Sequence, residues 1–79
     1  MPRFFLCLIE RDSVTDDLEG LAFVDMPAAI ADAVRQIRRM VSLEMIETGR
    51  VNLDRAIEIV GDGGAHRRIP FSDAITVSA

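Results

Sequence analysis

Residues 25–49, DMPAAIADAVRQIRRMVSLEMIETG, decide how this chain is organised. Asp25 is a strong N-cap residue, since its carboxylate can accept from the orphan N–H groups of a first helical turn. Pro27 falls in that turn, where its missing N–H has no helical partner to lose. Gly49 is the residue type that ends a helix in the left-handed region, with Arg50 beyond it. Between these signals, placing residues at about 100° each gathers Ile30, Ala33, Val34, Ile37, Met40, Val41 and Met45 on one stripe. The reading is one amphipathic helix from Met26 to Thr48, its stripe facing a core. Glu44 falls inside that stripe near the helix end, so its carboxylate is expected to reach solvent or an arginine.

Extended segments flank the helix on both sides. Residues 3–10 carry Phe4, Phe5 and Ile9, which favour a strand, and Pro2 stands at its start. Arg11-Asp12-Ser13 is turn chemistry, and Val14-Thr15-Asp16 returns as a short strand. Asp17-Leu18-Glu19-Gly20 is a second turn in which Gly20 is free to take positive φ. Leu21 to Val24 then run extended into the helix. After it, Ala56 to Val60 alternate as a third strand, and Gly61-Asp62-Gly63-Gly64 form a hairpin turn. His66 to Phe71 make the fourth strand, and Pro70 confines it to an edge. Ser72-Asp73-Ala74 turns the tail away. The order predicts an α+β, two-layer ββαββ arrangement. An antiparallel sheet of three to four strands carries one long helix on one face, with the most apolar strand, the first, in the middle.

Composition narrows the function classes. Seventy-nine residues make a single domain spanning 1–79. Net charge is −4 and all nine basic residues are arginine, a balance that suits solubility and disfavours a general nucleic-acid binder. Cys7 is the single cysteine and has no internal disulfide partner, which points to a reducing cytoplasm. The apolar run Phe4 to Ile9 is too short for a signal h-region or a membrane span.

The residue inventory offers little chemistry. A nucleophilic site needs a base beside its nucleophile, and the chain holds one candidate for each, Cys7 and His66. They can meet only if the first and fourth strands are neighbours. A structural zinc site needs about four Cys or His ligands. The acidic segment Asp16 to Gly20 does not follow the calcium-loop pattern, and the Gly61–Gly64 turn lacks the lysine and helix of a phosphate loop. No cofactor and no catalytic residue are assigned, and the chain is not expected to be an enzyme. Arg35, Arg38 and Arg39 cluster on the outer helix face, with Arg67 and Arg68 on the fourth strand. They form a weak candidate patch for nucleic acid, lacking aromatics to stack bases and close enough to Asp32, Glu44 and Glu47 to be paired.

The stronger signal is surplus apolar surface. Phe4, Leu6 and Leu8 point one way from the first strand, and Phe5, Cys7 and Ile9 point the other. A single helix covers only one of these faces, and an antiparallel sheet with a wet face normally alternates apolar with polar. Ala56 and Val60 can extend the second apolar face. Leu43 and Ile46 lie opposite the helix stripe, available to a partner or to the tail Ile75-Thr76-Val77. An open patch of this kind marks an interaction surface. The expectation is a non-catalytic protein–protein interaction module, a homodimer or the binder of a protein partner, through Phe5, Cys7 and Ile9 or through Leu43 and Ile46. The alternative is a regulatory or antitoxin-like protein contacting nucleic acid through Arg35, Arg38 and Arg39.

Several of these stretches together resemble a family of short bacterial proteins that carry a domain of unknown function. Its members open Met-Pro-Arg-aromatic-aromatic, here Met1-Pro2-Arg3-Phe4-Phe5. They continue through an acidic-Gly turn, here Asp16 to Gly20, and an alanine-rich helix, here from Pro27-Ala28-Ala29. They close on Ile-Pro-Phe-Ser-Asp-Ala-like text, here Ile69 to Ala74. The resemblance implies no activity, cofactor or catalytic residue. Members usually carry a polar residue, often histidine, at the position of Cys7 and another near Ile9; if that position serves a shared function this copy has lost it, and if not this chain has the greasier sheet face.

Overall fold

The computed structural model describes residues 1–17 and 19–76. The chain runs through β1 (Arg3–Ile9), β2 (Val14–Thr15), β3 (Leu21–Ala22), α1 (Met26–Thr48), β4 (Ala56–Gly61) and β5 (His66–Pro70), and then a 3-10 helix, Phe71–Ala74. All strand pairs are antiparallel, in the order β2-β1-β4-β5, with β3 also on β1. The α+β class, the central place of the first strand and the edge place of the Pro70 strand are as the sequence reads.

The sheet has five strands rather than the expected three to four. The extra one comes from the segment leading into the helix: Ala22 and Leu21 pair with Arg3 and Phe4, while Thr15 and Val14 pair with Leu8 and Ile9. Two short strands thus lie end to end along one edge of the longer β1. Asp17 bridges the gap between them, its carboxylate accepting from the backbone N–H of Leu6 at 3.4 Å and of Gly20 at 3.1 Å. Gly20 has φ +71 and closes on β1 so tightly that a Cβ there would lie 2.8 Å from both Arg3 Cγ and the Phe5 ring.

The helix begins and ends where local chemistry dictates. Asp25 is extended and its Oδ1 accepts from the Ala28 N–H at 3.0 Å; Gly49 takes φ 72 and donates to the Met45 carbonyl at 3.0 Å. Ala29, Ala33 and Ile37 are fully buried against Phe4, Leu6, Ile57, Ile59 and Ile69. Alanines at two of these three positions let the helix backbone approach the sheet closely. Met45, expected in the core, is 52% exposed. The reason is length: 23 helical residues span about 35 Å, whereas six-residue β4 spans about 20 Å. The last turns of α1 therefore run past the end of the sheet.

The segment after β5 returns to the helix instead of turning away. Phe71, expected to end the fourth strand, opens the 3-10 helix and is fully buried, its N–H donating to the Arg55 carbonyl at 2.9 Å. The Arg55 guanidinium lies 4.5 Å above the Phe71 ring, donates from Nε to the Asn52 carbonyl and pairs with the Glu44 carboxylate. Glu44 thus resolves to the arginine partner. Arg38 Nε donates to the Ala74 carbonyl at 2.9 Å, and Ile75 packs on the core. Val77, a proposed contact of the outer helix, lies outside the described residues. No helix among the described residues is long and apolar enough to cross a membrane.

Candidate functional site

Strand register sorts the side chains of the sheet onto two faces. Because partners directly opposite share a face, the pairs Leu6–Ile59, Leu8–Ile57 and Ile57–Ile69 define the face beneath α1. The pairs Phe5–Val60, Cys7–Glu58 and Ile9–Ala56 define the other face, which lies away from α1 and which no helix among the described residues covers. Its rows extend onto β5, where His66 lies beside Val60, Arg68 beside Glu58 and Pro70 beside Ala56. On the opposite side Val14 lies beside Ile9 and Thr15 beside Leu8, where β2 ends, and the exposed Asp16 follows directly along the chain.

This uncovered face is the candidate functional site. Phe5, Cys7 and Ile9 are half-buried on it, and Val60 and Val14 are exposed. A polar row interrupts the apolar ones: Cys7, Glu58 and Arg68. His66 Nε2 lies 3.6 Å from Glu58 Oε1. The sequence reading missed this row, although the inward Ile57 and Ile59 already force Glu58 outward. One end of the face opens into a hollow of about 440 Å³ lined by Ile9, Arg11, Asp54, Arg55, Arg68 and Ser72. Arg11 and Asp54 pair across it at 3.5 Å, both well exposed, a contact worth little on an open surface.

Cys7 and His66 share the face but do not meet. The first and fourth strands of the sequence reading are not neighbours, because β4 lies between them. Two strand spacings, about 9.5 Å, therefore separate their columns. The His66 imidazole faces Glu58 instead. Asp17, in the acidic turn, has its carboxylate committed to backbone N–H groups. Among the described residues no three His, Cys, Asp or Glu side chains gather as a metal site would need.

The arginine cluster on the helix is dispersed. Arg38 is taken up by the Ala74 carbonyl. Arg35 pairs with Asp32 at 3.2 Å, and Gln36 holds the second Asp32 oxygen. Arg35 and Arg39 remain together beside a shallow hollow that Asp32 also lines. Arg67 opposes Ile59 and Arg68 opposes Glu58, so these two arginines leave β5 on opposite faces. Leu43 is 52% and Ile46 80% exposed on the overhanging end of α1, remote in sequence and layer from the sheet face.

A two-layer α+β sheet with one bare face is the class that this architecture defines. Within it, the chain belongs to the DUF6894 family, a domain of unknown function whose family model matches residues 3–72. No curated protein and no solved structure matches the chain.

Proposed function

We propose that the protein is a non-catalytic interaction module of a reducing, cytoplasmic compartment that self-associates through its uncovered sheet face. The observation carrying this reading is the row Phe5, Cys7 and Ile9, extended sideways by the exposed Val60 and Val14 on the side of β1 away from the helix. A strand that is apolar on both faces belongs between two layers, and the described residues supply only one. The second apolar surface, Leu43 and Ile46, ranks below it because those side chains stand on the end of one helix with no continuous row beside them. Nucleic-acid binding through Arg35, Arg38 and Arg39 is disfavoured by the engagement of Arg38 and by the Asp32 carboxylate among the others.

Ile9→Glu tests the reading. Ile9 sits at the open end of the face, whereas Phe5 is locked against Gly20 and its replacement would disturb the monomer. Light scattering after size exclusion at high micromolar concentration should give a dimer for the wild-type chain and a monomer for Ile9→Glu, with unchanged circular dichroism. A wild-type chain that elutes as a clean monomer ends the self-association reading.

A further inference from the structure

We infer that two copies meet face to face about a two-fold axis that runs parallel to the strands, between β1 and β4; this rests on the self-association reading. The charges on the uncovered face select the axis. Its columns are, in order, Val14, then Phe5-Cys7-Ile9, then Val60-Glu58-Ala56, then His66-Arg68-Pro70; carrying the β2 alternation one residue further sets the exposed Asp16 level with Cys7 in the first column. A closed dimer of identical chains must bring this surface against itself.

Four other placements of an in-plane axis fail on these side chains. An axis along β1 lays Glu58 of one copy over Asp16 of the other. An axis along β4 lays Glu58 over Glu58. An axis across the strands through the Cys7 row lays both Glu58 and Arg68 over their own copies. Like charges brought together at an interface are strongly disfavoured. An axis between β4 and β5 pairs Glu58 with Arg68, but leaves Phe5, Cys7 and Ile9 uncovered.

The axis between β1 and β4 has neither defect. It places Phe5 over the exposed Val60 of the second copy, twice by symmetry, and brings Ile9 above the Ala56 position, where Ala56 itself is only 6% exposed. Pro70 comes over Val14. Arg68 of each copy comes over Asp16 of the other, giving two opposite-charge contacts at the rim. Glu58 faces Cys7 and keeps its own His66 at 3.6 Å. Aligned sheets rotate by about 30°, which displaces the outer strands by roughly 4 Å, within the reach of an arginine. Four strands about 4.8 Å apart make a footprint well below the roughly 800 Å² per partner of a standard interface, so the dimer belongs to the weak, micromolar class.

Charge exchange tests the axis. Sedimentation equilibrium is measured on the wild-type chain, Arg68→Glu, Asp16→Arg and the double variant, each checked by circular dichroism. Both positions are exposed, so the fold should survive. Each single exchange should weaken the dimer about tenfold, and the double variant should return to within about threefold of wild type. A dimer that ignores the single exchanges, or that the double variant does not rescue, overturns this axis and leaves self-association standing. A wild-type chain without any dimer overturns both.

Discussion

Replacing Gly20 by alanine isolates how closely the acidic turn is pressed onto β1. Gly20 has φ +71, a region in which an L-residue costs about 1–2 kcal/mol. Its new Cβ would also lie 2.8 Å from Arg3 Cγ and from the Phe5 ring, far inside the ordinary carbon–carbon separation of about 3.5–4.0 Å. Arg3 cannot withdraw freely, because its guanidinium donates to the Glu19 carbonyl at 2.7 Å. Overpacking of this kind adds about 1–3 kcal/mol, for a total of about 2–5 kcal/mol. Gly49 is the internal control: it has φ 72 with nothing within 4 Å of a built Cβ, so Gly49→Ala should lose only the backbone part. A chain of this length has about 4–12 kcal/mol of stability, so the two variants should separate clearly in urea unfolding followed by circular dichroism. Equal midpoints for Gly20→Ala and Gly49→Ala would refute the packing of the turn against Phe5.

Two further substitutions address the frame that holds the uncovered face. Asp25→Ala removes the acceptor for the Ala28 N–H and should lower stability by about 1 kcal/mol with an unchanged urea slope; an unaltered midpoint would show that the cap contributes nothing. Phe71→Ala empties a fully enclosed site and takes away the ring beneath Arg55, so a loss of about 3–5 kcal/mol is expected in the same assay, and a loss under about 1 kcal/mol would mean that the site is not enclosed.

Legibility followed the range of the interactions. The helix boundaries were readable because a cap is settled within four residues: Asp25 reaches Ala28, and Gly49 reaches Met45. The uncovered face was readable because alternation along one strand already separates Phe5, Cys7 and Ile9 from Phe4, Leu6 and Leu8. Met45 was misplaced in the core because periodicity gives the face of a helix and not how far the opposing sheet extends. Arg38 looked like part of a surface cluster because nothing near it in sequence reveals that its partner is the carbonyl 36 residues later.

The sequence alone therefore determined a single capped helix between pairs of strands, the edge place of Pro70 and the apolar surplus of the first strand, all consequences of short-range backbone chemistry and side-chain alternation. The tertiary structure alone decided that Leu21–Ala22 joins the sheet, that Gly20 lies against Phe5, that β4 separates Cys7 from His66, and that Cys7, Glu58 and Arg68 share one row. Those facts depend on which distant segments come together, because the free energy of burying apolar faces is non-directional. It leaves the pairing of strands to be fixed by register and packing across the whole chain.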